Sequence, residues 1–162
     1  MPKDELIEER LTESIIGAFY EVYNRLGYGF FETAYTKALM IELGYRGHEA
    51  KREVKVDLYY RGFHLGRQRV DLIVDEKVII EVKACDEMPR VALRQCLSYL
   101  RTTGIQVGLV LNFGAEPQIK RVVSRGAPLG PNTEVVFPVE AGPDPGPDGG
   151  LDLDDDATGS PA

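Results

Sequence analysis

The chain is expected to fold as an α/β domain in which a mixed central sheet is flanked by helices. Two observations predict this. Apolar residues recur every three or four positions up to Gly44 and every second position from Glu53, so helices precede strands. One more helical stretch then lies between two apolar strand segments, giving the order α-α-β-β-β-β-α-β with the last helix crossing between strands.

The first helix is read from Ile7, Leu11, Ile15, Phe19, Val22 and Leu26, an apolar stripe that ends at Gly27. Gly27-Tyr28-Gly29 breaks the chain. A second helix follows with Phe31, Ala34, Tyr35, Ala38, Leu39 and Leu43 on its inner face and Gly44 as its stop. Val54, Val56 and Leu58 then share one side of a strand, and Arg61-Gly62 turns into Phe63-His64-Leu65. Val70 to Val74 and Val78 to Ala84 form two further strands joined at Asp75-Glu76. Val91 to Thr103 reads as a helix stopped at Gly104, Val107 to Phe113 as a buried strand, and Ile119 to Val123 as a short one. Glu134 to Val139 is expected to add an edge strand.

A length of 162 residues with 43% apolar content suits one core plus an appendage. All 19 Lys and Arg lie in residues 1–126 beside 18 Asp and Glu, whereas residues 127–162 hold 8 acids and no base. The sequence pI of about 4.9 therefore describes the tail. Residues 1–126 are read as the domain, and the Pro/Gly/Asp-rich segment 127–162 as an acidic, mostly disordered tail that cannot bury enough apolar surface to offset its chain entropy. A nearly neutral body gives no strong electrostatic argument for or against nucleic acid. Cys85 and Cys96 fit neither a zinc site nor a disulfide framework, so a reducing compartment is expected. The first ten residues lack a signal-peptide core and no later apolar run has the length a bilayer requires, so the chain is read as cytoplasmic.

Four acid-x-Lys triplets occur: Glu49/Lys51, Glu53/Lys55, Asp75/Lys77 and Glu81/Lys83. The first three fall in polar segments or a turn, where solvent holds the charges. Glu81 and Lys83 instead interrupt Val78-Ile79-Ile80 and Val82-Ala84, and two residues apart on a strand they face the same way. If Asp75-Glu76 makes a hairpin, Asp71 comes level with Glu81. Two carboxylates at that spacing repel and one takes up a proton, unless a hard cation such as Mg²⁺ or Mn²⁺ binds oxygens from both. With Lys83 to hold a water or a phosphate oxygen, the set suits metal-assisted hydrolysis of a phosphodiester. Gln95 and Tyr99 are four apart on one helix face, within expected reach of a backbone phosphate or the lysine. Glu32 sits in the first turn of the second helix, where the dipole favours a carboxylate, and Tyr35 is expected in the core. His48 and His64 form no catalytic pattern, and no Walker loop, His-Glu-x-x-His helix or Cys-x-x-Cys pair occurs.

Gly29-Phe-Phe-Glu32-Thr-Ala-Tyr35 matches Gly-x-x-Glu-x-x-Tyr, and with it the chain resembles the GxxExxY family, a branch of the PD-(D/E)xK nuclease superfamily. Further similarity lies in Ile15-Ile-Gly-Ala, Glu21-Val-Tyr-Asn-Arg-Leu-Gly27, Tyr60-Arg-Gly62, Asp71-Leu-Ile-Val74, Glu81-Val-Lys83, Gln95-Cys-Leu-Ser-Tyr-Leu100 and Gly108-Leu-Val-Leu-Asn-Phe-Gly114, between about Leu11 and Val123. The resemblance implies a restriction-endonuclease-like αβββαβ core, Asp71 and Glu81 as metal ligands with Glu32 as a further helix carboxylate, Lys83 as the catalytic lysine, and Gln95 and Tyr99 assisting as in RecB-like nucleases. The family's first helix usually carries histidine where this chain has Tyr23.

The expected function is therefore Mg²⁺- or Mn²⁺-dependent cleavage of DNA or RNA, with nucleic acid as partner and a homodimer or an assembly partner as the remaining expectation. Two readings compete with it. A buried ion-pair cluster is disfavoured because the acids outnumber the base on one strand pair. An inactive binding module or partner subunit in a nucleic-acid-processing assembly would use the same face without chemistry.

Overall fold

Two helices, the amphipathic α1 (Glu9–Leu26) and the evenly apolar α2 (Glu32–Tyr45), pack on one face of a mixed sheet, and α3 (Arg90–Thr103) covers the other. The computed structural model describes residues 7–125 and the two-residue strand Glu134–Val135. The strands are β1 (Ala50–Tyr60), β2 (Phe63–Val74), β3 (Val78–Lys83), β4 (Val107–Phe113), β5 (Pro117–Val123) and β6 (Glu134–Val135), in the spatial order β5-β4-β3-β2-β1-β6. Neighbours run antiparallel except β3 and β4, which are parallel because α3 carries the chain back between them. Among the described residues no helix is long and apolar enough to cross a membrane.

Each face of the sheet has its own core. Ile15, Phe19, Tyr35 and Leu39 pack with Leu72, Ile80, Val82, Leu109, Leu111 and Phe113 on one side; Ala92, Cys96, Tyr99 and Leu100 pack with Val54, Val56, Ile73, Ile79 and Val110 on the other. β3 and β4 are covered on both sides, which is why they read as nearly unbroken apolar runs. Tyr35 stacks on Phe113 with ring centroids 4.2 Å apart, in the core as its position in α2 predicts.

The element order follows the sequence reading, with three differences. The two segments expected at 63–65 and 70–74 are one strand, because Gly66, Arg67, Gln68 and Arg69 pair with β1 throughout although they face neither core fully. β1 begins at Ala50, three residues before the apolar alternation starts. α2 runs one residue past Gly44, and the left-handed turn falls instead on Gly47 at φ 81°. Of the expected edge strand only Glu134–Val135 lies within the described residues, where it pairs with Val56 and Asp57; the acidic tail beyond it lies outside them.

Three hydrogen-bonded anchors fix the layers. Tyr23 Oη donates to the carbonyls of Gly114 and Ala115 at 2.8 Å, joining α1 to the β4–β5 turn. His48 lies between Ser14 Oγ and Asp75 Oδ2, each at 2.7 Å, while Asp75 Oδ1 accepts the Glu49 N–H at 2.9 Å. That chain ties α1, the α2–β1 connection and the β2–β3 turn together, so His48 is a structural residue. Asn112, fully buried, satisfies both backbone groups of Cys85 at 2.9 Å and so fixes the chain just as it leaves β3.

The seat of α3 depends on Gly108 of β4. A Cβ there would collide with Cys96 Sγ and come within 3.5 Å of a Leu100 methyl. Gly108→Ala is therefore expected to cost about 1–3 kcal/mol. Adding Cys96→Ala should restore part of that loss. Urea unfolding of the single and double variants checks it, and a double variant no more stable than Gly108→Ala alone would mean that the thiol contact is not the cause.

Candidate metal centre and active site

Asp71 stands where the sheet comes apart on both of its sides. The β2–β3 ladder ends at Leu72↔Ile80, one step before Asp71 would face Glu81. The next donor on β3, the Val82 N–H, is taken at 2.8 Å by the Asp71 carboxylate rather than by a strand carbonyl. On the β1 side the ladder passes from Arg52↔Leu72 to Val54↔Val70, and Glu53, between them and across from Asp71, has the left-handed φ of 53°. Such a backbone costs a non-glycine residue free energy and persists where its surroundings impose it. The pleat changes phase at the same point: Val70 packs under α3, whereas Leu72 packs under α1 and α2. Polar side chains thereby gain room inside an apolar sheet.

The strand pair brings Asp71, Glu81 and Lys83 together. Glu81 is only 2% exposed, and Lys83 Nζ lies 3.6 Å from Glu81 Oε2. Burial, and after it the negative charge of Asp71, push the Glu81 carboxyl up to about 8 against the pull of Lys83; Glu32 adds to the rise. Burial likewise raises Asp71, opposed by the Val82 N–H and by Lys83 and Arg69. The imbalance anticipated from the sequence is thus present: two carboxyls confront one ammonium at a place water barely reaches.

Asp71 opens on its other side into a cleft of about 180 Å³ lined by Glu32, Thr33, Thr36, Arg52, Glu53 and Arg69. Glu32 reaches the cleft because its loop is pinned. Tyr35 Oη donates to the Gly27 carbonyl at 2.7 Å and accepts the Phe30 N–H at 3.2 Å, while Gly29 makes the bend at φ 103°. Each residue type of Gly29-x-x-Glu32-x-x-Tyr35 therefore has a local task.

Gln95 and Tyr99 are placed differently. Gln95 Nε2 donates to Tyr99 Oη at 2.7 Å, and Tyr99 Oη donates onward to the Arg69 carbonyl at 3.0 Å. Burial and the nearby Glu81 push the Tyr99 hydroxyl up to about 12. The pair thus holds β2 against α3 two residues before Asp71. Tyr23, at the position where the resembling family has histidine, has its hydroxyl on two backbone carbonyls of the β4–β5 turn.

Sequence reasoning missed Glu53, Arg52 and Arg69 as neighbours of Asp71. Glu53 belongs to a triplet assigned to polar surroundings; a hairpin register counted back from Arg61-Gly62 sets it opposite Val70, and only the one-residue shift between Leu58 and Tyr59 brings it across from Asp71. A divalent cation of the Mg²⁺ class binds hard oxygens and commonly keeps several waters beside one or two carboxylates. Asp71 and Glu81 fit that demand, although among the described residues no three His, Cys, Asp or Glu side chains gather as a ready-made cluster.

A family model described as the PD-(D/E)XK nuclease superfamily matches residues 9–122. A search of curated proteins finds no match. Among solved structures, one described as "Crystal structure of SSO0001" is similar at 20% identity and a TM-score of 0.47; the match covers 76% of this chain and 60% of that one.

The raised Glu81 carboxyl has a consequence for stability. Its folded value near 8 exceeds the ordinary 4.5, so the native state keeps a proton that the unfolded chain releases. The contribution is fully present below about 4.5 and is lost as pH rises through about 8, on the order of a few kcal/mol. In chelator-treated buffer, urea unfolding at pH 5.5 and pH 8.5 should show this loss in the wild type and a smaller one in Glu81→Gln. Equal losses in both proteins would show that Glu81 is not the group responsible.

Proposed function

The chain belongs to the PD-(D/E)XK nuclease superfamily, and on that premise we propose that it hydrolyses phosphodiester bonds of DNA or RNA with Mg²⁺ or Mn²⁺. The observation that carries this reading is the Asp71–Glu81–Lys83 set at the opened edge of the β2–β3 ladder. Asp71 and Glu81 would hold the metal, with Glu32 as a further carboxylate on the cleft wall. When bound, the ion supplies a lowered pKa for a water and neutralises charge developing on the phosphate.

The other roles belong to this chain's own side chains. Lys83, already drawn to Glu81, orients the attacking water or holds a phosphate oxygen. Arg52 and Arg69 on the cleft wall attract the phosphate backbone, while Gln95 and Tyr99 act as positioning residues through the Arg69 carbonyl. The local fit of Gly29, Glu32 and Tyr35 supports placement in the GxxExxY branch. The division into a domain over 1–126 and an acidic tail over 127–162 belongs to the same reading, supported by the charge distribution. Free Cys85 and Cys96 support a reducing, cytoplasmic setting, and the exposed Phe30, Phe31, Ile41 and Tyr45 around α2 support a homodimer or an assembly partner. A second reading, a binding module without chemistry, is favoured by Arg52 and Arg69 on the cleft wall, two cations that would attract phosphate without a metal.

A panel of single-stranded, duplex and branched DNA and RNA separates the two. With Mg²⁺ or Mn²⁺ the wild type should cut at least one substrate, and Glu81→Ala or Lys83→Ala should lose about 10²-fold or more of the rate. Tight binding by all three proteins without cutting would establish the module instead. Titration calorimetry should record Mn²⁺ binding by the wild type and its loss in Asp71→Asn; a heat unchanged by that substitution would remove Asp71 from the metal site.

A further inference from the structure

The face of the β1–β2 hairpin that adjoins the cleft carries a row of cations. Between the break at Asp71 and the hairpin tip, Val54, Val56 and Val70 turn toward α3, so Lys55, Asp57, Arg67 and Arg69 lie on the opposite side, the one that α1 and α2 cover farther along the sheet. Arg52, paired with Leu72, shares that side. Lys55 and Arg69 stand directly opposite each other, both exposed. Like charges across a strand pair repel, and Glu53 offsets Arg69 only at 3.8 Å. Asp57 is already spent: it accepts both guanidinium nitrogens of Arg67 at 2.8 and 3.0 Å and faces His64 at 3.0 Å. Among the described residues Lys55 makes no ion pair.

β6 brings the acidic end of the chain to the same place. Glu134–Val135 pairs antiparallel with Asp57 and Val56, so the chain leaves Val135 headed for the Lys55 end of β1 and away from the hairpin tip. On β1, Lys55 is one strand spacing from β6, ~4.8 Å, and Arg69 on β2 is two, ~10 Å. Residues 136–162 hold seven Asp and Glu and no Lys or Arg. Asp144 follows Val135 by nine residues and Asp152 by seventeen, extended lengths of ~30 and ~56 Å that more than span the face. A tether of this kind keeps a segment at an effective concentration on the order of millimolar, enough to fill a weak ionic seat. The cleft itself would repel such a segment, because Glu32, Glu53 and Asp71 line it beside Arg52 and Arg69. The complementary surface is therefore the arm outside the cleft.

We propose that the acidic segment 136–162 docks on this face of the β1–β2 arm, its carboxylates against Lys55, Arg67 and Arg69, and that a nucleic-acid backbone must displace it to reach them. The docking rests on charge and placement; only the identity of the competitor rests on the nuclease reading. Carboxylates over the arm relieve the Lys55–Arg69 repulsion as phosphates would, so the segment and a polyanion exclude each other. Because the seat is ionic and exposed, salt weakens it, the screening length being ~10 Å at 0.1 M.

The first test joins lysines to touching carboxylates in the full chain with a carbodiimide and locates the joins by mass spectrometry. At low salt Lys55 should be joined to Asp152, Asp154, Asp155 or Asp156 more often than the exposed Lys37, Lys77 and Lys120 are. The yield should be independent of protein concentration and should fall away at high salt. The second test reads the anisotropy of a fluorescein-labelled oligothymidine in chelator. Asp152→Asn/Asp154→Asn/Asp155→Asn/Asp156→Asn should tighten its binding about tenfold at low salt and leave it unchanged at high salt, and the gain should vanish in a Lys55→Ala/Arg69→Ala background. Circular dichroism confirms that these surface variants fold. Joins spread evenly over the exposed lysines, or oligothymidine binding indifferent to the four Asn substitutions, overturns the proposal. So does a yield that rises with protein concentration, since the acids on Lys55 would then come from a second copy. Selective joining to Lys55 with no oligothymidine binding by any variant upholds the seat and sinks the nuclease reading; evenly spread joins in a chain that cuts nucleic acid with Mg²⁺ do the reverse.

Discussion

The hydrogen bond from the Val82 N–H to the Asp71 carboxylate is the constraint on which the candidate site depends. A sheet whose ladder ran on unbroken would send that N–H to a carbonyl and leave no place for a carboxyl between β2 and β3. By substituting an anionic acceptor for a neutral one, the chain ends the ladder without orphaning a buried donor. The same residue then carries charge where the strands part, and the Glu53 backbone opposite it turns left-handed to make the matching opening on the β1 side.

Everything around that opening serves to hold it in a fixed shape. α3 is drawn close by the missing Cβ of Gly108 and is bonded to β2 through Tyr99. The segment leaving β3 is fixed by Asn112 immediately after Lys83. Glu32 is delivered to the cleft by a loop whose bend and anchor, Gly29 and Tyr35, lie three residues to either side of it. Rigid surroundings of this kind are what a preorganised electrostatic site requires.

Much of this was legible in the sequence, and for identifiable reasons. The two cores could be read because α1, β3 and β4 bury whole stripes or both faces, so their apolar pattern is nearly undiluted. Glu81 and Lys83 stood out for the converse reason: they are charged where that pattern demands apolar residues. β2 was harder. Its middle residues lie outside both cores and carry no periodicity, so only backbone pairing reveals one continuous strand. Glu53 stayed hidden because its importance lies in register with Asp71 and in a backbone angle, and neither leaves a mark in residue type. For Gln95 and Tyr99 the spacing gave the shared helix face, while the partner, a backbone carbonyl, is invisible to any motif.

The Tyr23 hydroxyl, resting on the carbonyls of Gly114 and Ala115, closes a loop of 91 residues. During synthesis α1 thus meets this partner only after most of the described domain has been made. Until then its apolar stripe lacks Leu109, Leu111 and Phe113 of β4, and such exposure during synthesis invites association with other chains. The order of the chain therefore makes completion of the β4–β5 turn the event that locks α1 in place.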